Sequence, residues 1–207
     1  VAAATTSVVA QEVLLARYEY DHDRWNFPSV FALALDVQLN YMRQLLAAGR
    51  SHKLMLHLTA LQFANPETPR RLRTFIATQP GSVVLVVEVD HNIAVAVLAD
   101  NAMRYRDQGI QVALINLDAR KSLSALVARL PYVDIVKIAC GSLRERHPDG
   151  ITVPETQVWR DALRPYAIAL VVTDVENSVD AAFARDTLNV RYLQGYYFDR
   201  PELPRLT

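Results

Sequence analysis

Glycine is scarce in this chain, at 6 of 207 residues, and none falls in a GxGxxG or GxxxxGK spacing. Loops that cradle phosphates on backbone amides need glycine where the chain approaches its ligand. A Rossmann dehydrogenase and a P-loop NTPase are therefore disfavoured. Cysteine is scarcer still. Cys140 is the sole cysteine, which rules out an internal disulfide and fits a reducing cytoplasm. It follows an apolar, strand-like run, so a buried, inert thiol is expected rather than a nucleophile. Net charge is also missing, with 22 Lys+Arg against 22 Asp+Glu, so electrostatics provides no reason to expect a nucleic-acid or membrane partner. The longest apolar runs, such as Ser82–Val89, are strand-length and far short of a bilayer. Val1–Ala10 is apolar but lacks a basic flank, and reads neither as a signal peptide nor as an anchor.

What is present is a globular composition, 51% hydrophobic and 21% charged, over a length that suits one sizeable core. Short apolar, β-branched runs at Ser7–Arg17, Lys53–Thr59, Ser82–Val89, Gln111–Leu117, Asp134–Ala139, Ala167–Thr173 and Val190–Phe198 read as strands. Helix candidates lie between them, near Ser29–Ala48, Pro66–Thr78, Asn92–Gln108, Ala119–Leu130, Pro154–Arg164 and Asn177–Leu188. In the first of these, Phe31, Leu35, Leu39, Met42 and Leu46 form one apolar stripe, and Gly49 stops the helix. Asn92 is the expected N-cap of the third, and Gly109 closes it. Such alternation predicts a single α/β domain over 1–207 with a mostly parallel sheet. Both an open doubly wound sheet and a closed (β/α)8-like barrel fit, the eighth strand of a barrel falling in Val1–Thr6.

In either architecture chemistry sits at the C-terminal ends of the strands. Those ends present Glu12, His57, Glu88, Asn116, Lys137, Thr173, Glu176 and Gln194. Taken in order, they resemble the successive motifs of EAL domains, the bacterial cyclic di-GMP phosphodiesterase family. Gln194–Pro201, QGYYFDRP, is similar to the closing "QGYYFSRP" of that family. Val133–Ile138 resembles "VDxxKID", Val171–Glu176 stands where "AEGVE" belongs, and Val87–Asp90 resembles "LEITE". Leu56–Thr59 resembles "VNLSP", and Gln11–Leu15 the E-A/V-L-L signature itself. The compact spacing looks most like EAL domains found beside HDOD domains. The resemblance implies a TIM-type barrel whose early strand is antiparallel or, here, partly missing, because "QPI" has no counterpart in Val1–Thr6.

The resemblance also implies two divalent metals, Mg or Mn, activating a water, with a set of hard oxygen ligands to hold them. Glu12 and Glu88 match two of the family's metal-binding glutamates. His57 replaces the asparagine of "NLSP", Ile115-Asn116 replaces the paired aspartates of "DDFG", Thr173 replaces a glutamate, and Ala139 replaces the aspartate of "KID". Lys137 and Glu176 persist as vestiges of the catalytic set, and no intact catalytic site is expected. Glu12, Leu14, Glu176 and Gln194 remain as ligand-binding positions. Arg17 falls one place late, so alternation turns it from the cleft. Asp118 is close enough in sequence to act as a substitute ligand if its loop refolds.

Each of these residues also has a plainer role. Without a metal, Glu12 and Glu88 are expected to pair with Lys137 inside the barrel, since buried carboxylates require partners. If a metal does bind, Glu12, Glu88 and His57 are its ligands, although a hydrogen-bonded structural histidine is the commoner case. Glu176 suits a helix start, and Tyr196, Tyr197 and Phe198 suit a core strand. The reading is a catalytically degenerate, cytoplasmic EAL-like domain that regulates through a protein partner or adjoining signalling domain, with no cofactor. Its alternatives are a non-hydrolysing cyclic di-GMP receptor and, third, an active metal-dependent phosphodiesterase. The resemblance further implies a homodimer.

Overall fold

The computed structural model describes residues 7–13, 17–22, 24–26, 33–47, 52–117, 123–145 and 159–200. Its strands are β1 (Gln11–Val13), β2 (Arg17–Glu19), β3 (Arg24–Asn26), β4 (Lys53–His57), β5 (Val84–Asp90), β6 (Gln111–Leu117), β7 (Ile135–Ala139), β8 (Ala169–Thr173) and β9 (Tyr192–Leu193). The helices are α1 (Leu35–Ala47), α2 (Ala60–Ala64), α3 (Glu67–Ala77), α4 (Val95–Arg106), α5 (Leu123–Val127), α6 (Cys140–Glu145), α7 (159–163) and α8 (Ser178–Ala182).

Among the described residues seven strands form one sheet in the order β1-β4-β5-β6-β7-β8-β9, and every pairing in it is parallel. Laid flat at about 4.8 Å per strand, its two edges would lie roughly 29 Å apart. Instead Glu12 on β1 and Gln194, one residue beyond β9, share a hydrogen bond of 2.6 Å. The sheet is therefore curled into a half-barrel. This excludes the open doubly wound sheet and favours the barrel type, although among the described residues the barrel is half formed rather than closed. The only antiparallel pair among the described residues is the small β2–β3 hairpin, outside the main sheet. Val1–Thr6, the proposed place of an eighth strand, lies outside the described residues.

Alternation along each strand divides the core in two. Leu54, Leu56, Leu85, Val87, Val112, Leu114, Val136, Ile138 and Val172 face outward and pack with the helices in the larger cluster. Met55, Val86, Ala113, Ile135 and Val171 face inward and pack with each other, with Ala10, Ala169 and Tyr192 alongside. Burial on both faces explains why these strands read as unbroken apolar runs. Leu35, Leu39 and Met42 of α1 are buried as their spacing required, and Cys140 is buried at the start of α6. Phe31 and Gly49 lie outside the described residues. No helix among the described residues is long and apolar enough to cross a membrane.

Three local expectations need correction. Ser7–Arg17 is not one strand: β1 ends at Val13, and Arg17 opens the separate hairpin. Asn92 does not cap α4. The N-cap is Ala94, and the Asn92 amide instead donates to Asp90 Oδ1 at 2.8 Å, a turn at the end of β5. Val190–Phe198 is not a continuous strand either. Only Tyr192–Leu193 pair, and Tyr196, Tyr197 and Phe198 turn outward, exposed rather than in the core.

Candidate functional site

The inward alternation that stacks Met55, Val86, Ala113, Ile135 and Val171 sets polar residues one step further along the same strands. These are His57 on β4, Glu88 and Asp90 on β5, Lys137 on β7 and Thr173 on β8, while β6 places the apolar Ile115 at the same level. They ring the C-terminal mouth of the half-barrel.

Lys137 is at the centre. Its Nζ donates to Glu12 Oε2 at 2.7 Å and to Gln194 Oε1 at 2.9 Å, and lies in ion-pair contact with Glu88 Oε1. Gln194 Nε2 donates in turn to Glu12 Oε2 at 2.6 Å. An ammonium has three donors. Two are committed to Glu12 and Gln194, and the remaining side faces Glu88. Glu88 Oε2 has no hydrogen-bond partner among the described residues. Glu88 is wholly buried, Lys137 is 3% exposed, and Glu12 side-chain exposure is 16%. Glu12 and Glu88 thus pair with one internal cation.

The electrostatics follow from burial. Loss of water, and secondarily the Glu12 carboxylate, pushes Glu88 up to about 7, against the pull of Lys137. Burial pushes Lys137 down, but Glu88 and Glu12 together outweigh it and raise its pKa. Burial lowers the pKa of His57, against the carboxylates of Glu12 and Asp90 and with the help of Lys137, so His57 is neutral at pH 7.

At the end of β6, Ile115 and Asn116 both stand against Asp90. Ile115 lies beside Asp90 in the strand register. Asn116 takes a left-handed backbone with φ 58, which asparagine tolerates better than most residues. Its Nδ2 donates to Asp90 Oδ2 at 2.9 Å. Burial raises Asp90, but the hydrogen bonds from Asn116 and Asn92 outweigh it and hold the carboxyl below its usual range. At the end of β8, Thr173 Oγ1 reaches Asp174 Oδ2 at 3.5 Å, and burial pushes Asp174 up.

The sequence-derived positions divide accordingly. Glu12, Glu88, Lys137 and Gln194 come together. Glu176 is exposed just before α8; its backbone amide donates to Asp180 Oδ2 at 2.9 Å, while Asn177 caps the helix through Val179 and Asp180. Leu14 and Asp118 lie outside the described residues, and of Arg17 only the backbone is described. Sequence reasoning overlooked Asp90 and Asp174. Asp90 carried a readable signal, since it stands two places after Glu88 on β5 and must share its face.

A comparison with protein families matches the EAL domain over residues 23–201. The chain belongs to the EAL domain family. Glu12 precedes the matched stretch, so its place in this EAL domain rests on its contacts with Lys137 and Gln194. No curated protein matches the chain.

Solved structures with the same fold include the Bacillus subtilis YkuI protein, which has an EAL domain and was crystallised in complex with substrate c-di-GMP and calcium. It is 18% identical with a TM-score of 0.68, over 95% of this chain and 51% of that one, so the EAL domain described here spans about half its length. The FimX EAL domain from Pseudomonas aeruginosa, bound to c-di-GMP, is 22% identical with a TM-score of 0.68, over 93% of this chain and 83% of that one. An EAL domain protein from Listeria monocytogenes is 23% identical with a TM-score of 0.58, over 79% and 65%.

EAL chemistry as set out above calls for divalent metal. The donor set present among the described residues does not fit one. No three His, Cys, Asp or Glu side chains are grouped to hold an ion. Glu12 and Glu88, expected from the resemblance as metal ligands, face the Lys137 ammonium.

Proposed function

We propose that this EAL domain is catalytically silent and works in bacterial cyclic di-GMP signalling as a cytoplasmic regulatory module, through a protein partner or an adjoining domain such as an HDOD domain. The observation that carries this reading is the position of Lys137 between Glu12 and Glu88. Two carboxylates that share an internal ammonium hold far less negative charge for two dications. Ile115, Asn116 and Thr173 add no further carboxylate where the family has them. Leu61 on α2, which follows β4, and Tyr196, Tyr197 and Phe198, just after β9, expose apolar surface, which supports a protein contact there.

A second reading is a receptor that binds cyclic di-GMP without cleaving it. It is favoured by Gln194 and Glu12 at the mouth, and by solved structures of this fold that hold c-di-GMP. Titration calorimetry with cyclic di-GMP, with and without Mg²⁺ or Mn²⁺, separates the two. The regulatory reading expects no heat of binding and no linear dinucleotide. Saturable micromolar binding without product would replace it with the receptor. Catalytic turnover that disappears in Glu88→Ala would overturn both.

A further inference from the structure

Among the described residues the half-barrel has an open seam. Among the described residues β1 pairs only with β4 and β9 only with β8, so the two edge strands share no backbone hydrogen bond. Both edges nonetheless deliver a side chain to one point. Glu12 comes from β1, Gln194 from the residue after β9, and Lys137 reaches both from β7. The three contacts, at 2.7, 2.9 and 2.6 Å, close a ring in which each member touches the other two.

We propose that the Glu12–Lys137–Gln194 ring is a latch that closes the barrel seam, and that breaking it releases β1. The ring does across the seam what the backbone ladder does between the other strands. Among the described residues β1 has three residues and a single paired neighbour. A strand of that length at a sheet edge is marginal by itself and belongs to the part of a fold that opens first. Charge-assisted hydrogen bonds in a water-poor site are the stronger kind, which makes the ring able to hold such an edge.

The consequence reaches beyond the silent-module reading and does not depend on it. Glu12 and Gln194 are also the positions a ligand at the mouth would engage. An occupant that takes either as its own partner withdraws it from the ring. Filling the mouth and holding β1 are then competing events, and the segment that moves leads directly into the β2–β3 hairpin. Occupancy is thereby converted into the freedom of an edge strand, a signal that needs no chemistry.

Hydrogen exchange on the full chain, read by mass spectrometry, tests the latch. Gln194→Met removes both amide contacts at similar volume. It is expected to speed exchange of the Gln11–Val13 amides by about tenfold or more, with amides of β5 and β6 at wild-type rates. Gln194→Asn shortens the side chain by one methylene and keeps its polarity; it should produce the same local pattern and decides the matter if Gln194→Met does not fold. Unchanged exchange in β1, or a uniform rise across all strands, would overturn the proposal.

Discussion

Gly195 lies directly against the backbone of Val175. A Cβ built on Gly195 would come within 2.2 Å of the Val175 carbonyl oxygen and 2.3 Å of its nitrogen, closer than any real contact. Three hydrogen bonds stitch the two segments together: Val175 N to Gln194 O at 3.1 Å, Tyr197 N to Val175 O at 3.0 Å, and Gln194 N to Val172 O at 2.9 Å. The clamp aims the Gln194 side chain at Lys137. Because both obstacles are backbone, Gly195→Ala must separate the segments rather than tuck a side chain aside. A loss of about 2–3 kcal/mol is expected, read as a lower denaturant midpoint.

The same clamp shows where sequence reading stops. β6 is legible residue for residue, because a strand buried on both faces leaves an apolar run with clear ends. Val190–Phe198 carries the same apolar signature, yet the chain turns out after Leu193 because Gly195 must dock on Val175, 20 positions away. The Glu12–Gln194 contact spans 182 positions and the Lys137–Glu12 contact 125. No local pattern encodes such pairings; the strand-end rule predicts only that the residues share a mouth. The capping box of α2 is present in the sequence as Thr59 and Gln62, but Thr59 also ends the apolar run Lys53–Thr59 and reads as strand.

Removing the internal cation should be costly. Lys137→Met leaves Glu12 and the wholly buried Glu88 without a counter-charge. Breaking a buried pair from one side typically costs about 3–5 kcal/mol. The loss should be larger at pH 8 than at pH 5, where Glu88 takes up a proton and stops being a bare charge. Chemical denaturation of wild type and variant at the two pH values measures the difference; an equal loss at both would show that Glu88 is not the group left exposed to that cost.

Glu88 also predicts a pH dependence of its own. Burial raises its pKa from the ordinary 4.5 to about 7 in the folded chain. The folded state therefore holds this proton more tightly than the unfolded state. Its contribution to stability is full below pH 4.5, falls as pH rises from there to about 7, and is constant above. The shift corresponds to at most about 3–4 kcal/mol. His57 acts with the opposite sign: its pKa is lowered on folding, so its contribution is lost as pH falls through 6.5. The two slopes oppose each other below pH 6.5, and only a difference measurement isolates one. Glu88→Gln should remove the falling component and leave the His57 component, seen as a change in slope of unfolding free energy between pH 4.5 and 7.

Asn116 sits where the family resemblance expects an aspartate, and its amide is what neutralises the approach to Asp90. Asn116→Asp replaces the 2.9 Å donor–acceptor contact with two carboxylates facing each other. Backbone strain is not at issue, since aspartate tolerates the left-handed conformation almost as well as asparagine. The expected effect is electrostatic: a loss of about 1–2 kcal/mol at pH 7 from the broken hydrogen bond and the like-charge pair. Because the Asp90 pKa is held low by this donor, its removal should also raise that pKa. Acidification below pH 4 should then recover most of the lost stability, as one carboxyl takes a proton and donates to the other. A divalent ion can bridge two such carboxylates where an amide cannot. Millimolar Mn²⁺ should therefore raise the unfolding temperature of Asn116→Asp more than that of the wild type. Equal shifts would mean that Asp90 and residue 116 are too constrained to share an ion, leaving Ile115 and Thr173 as the substitutions that matter.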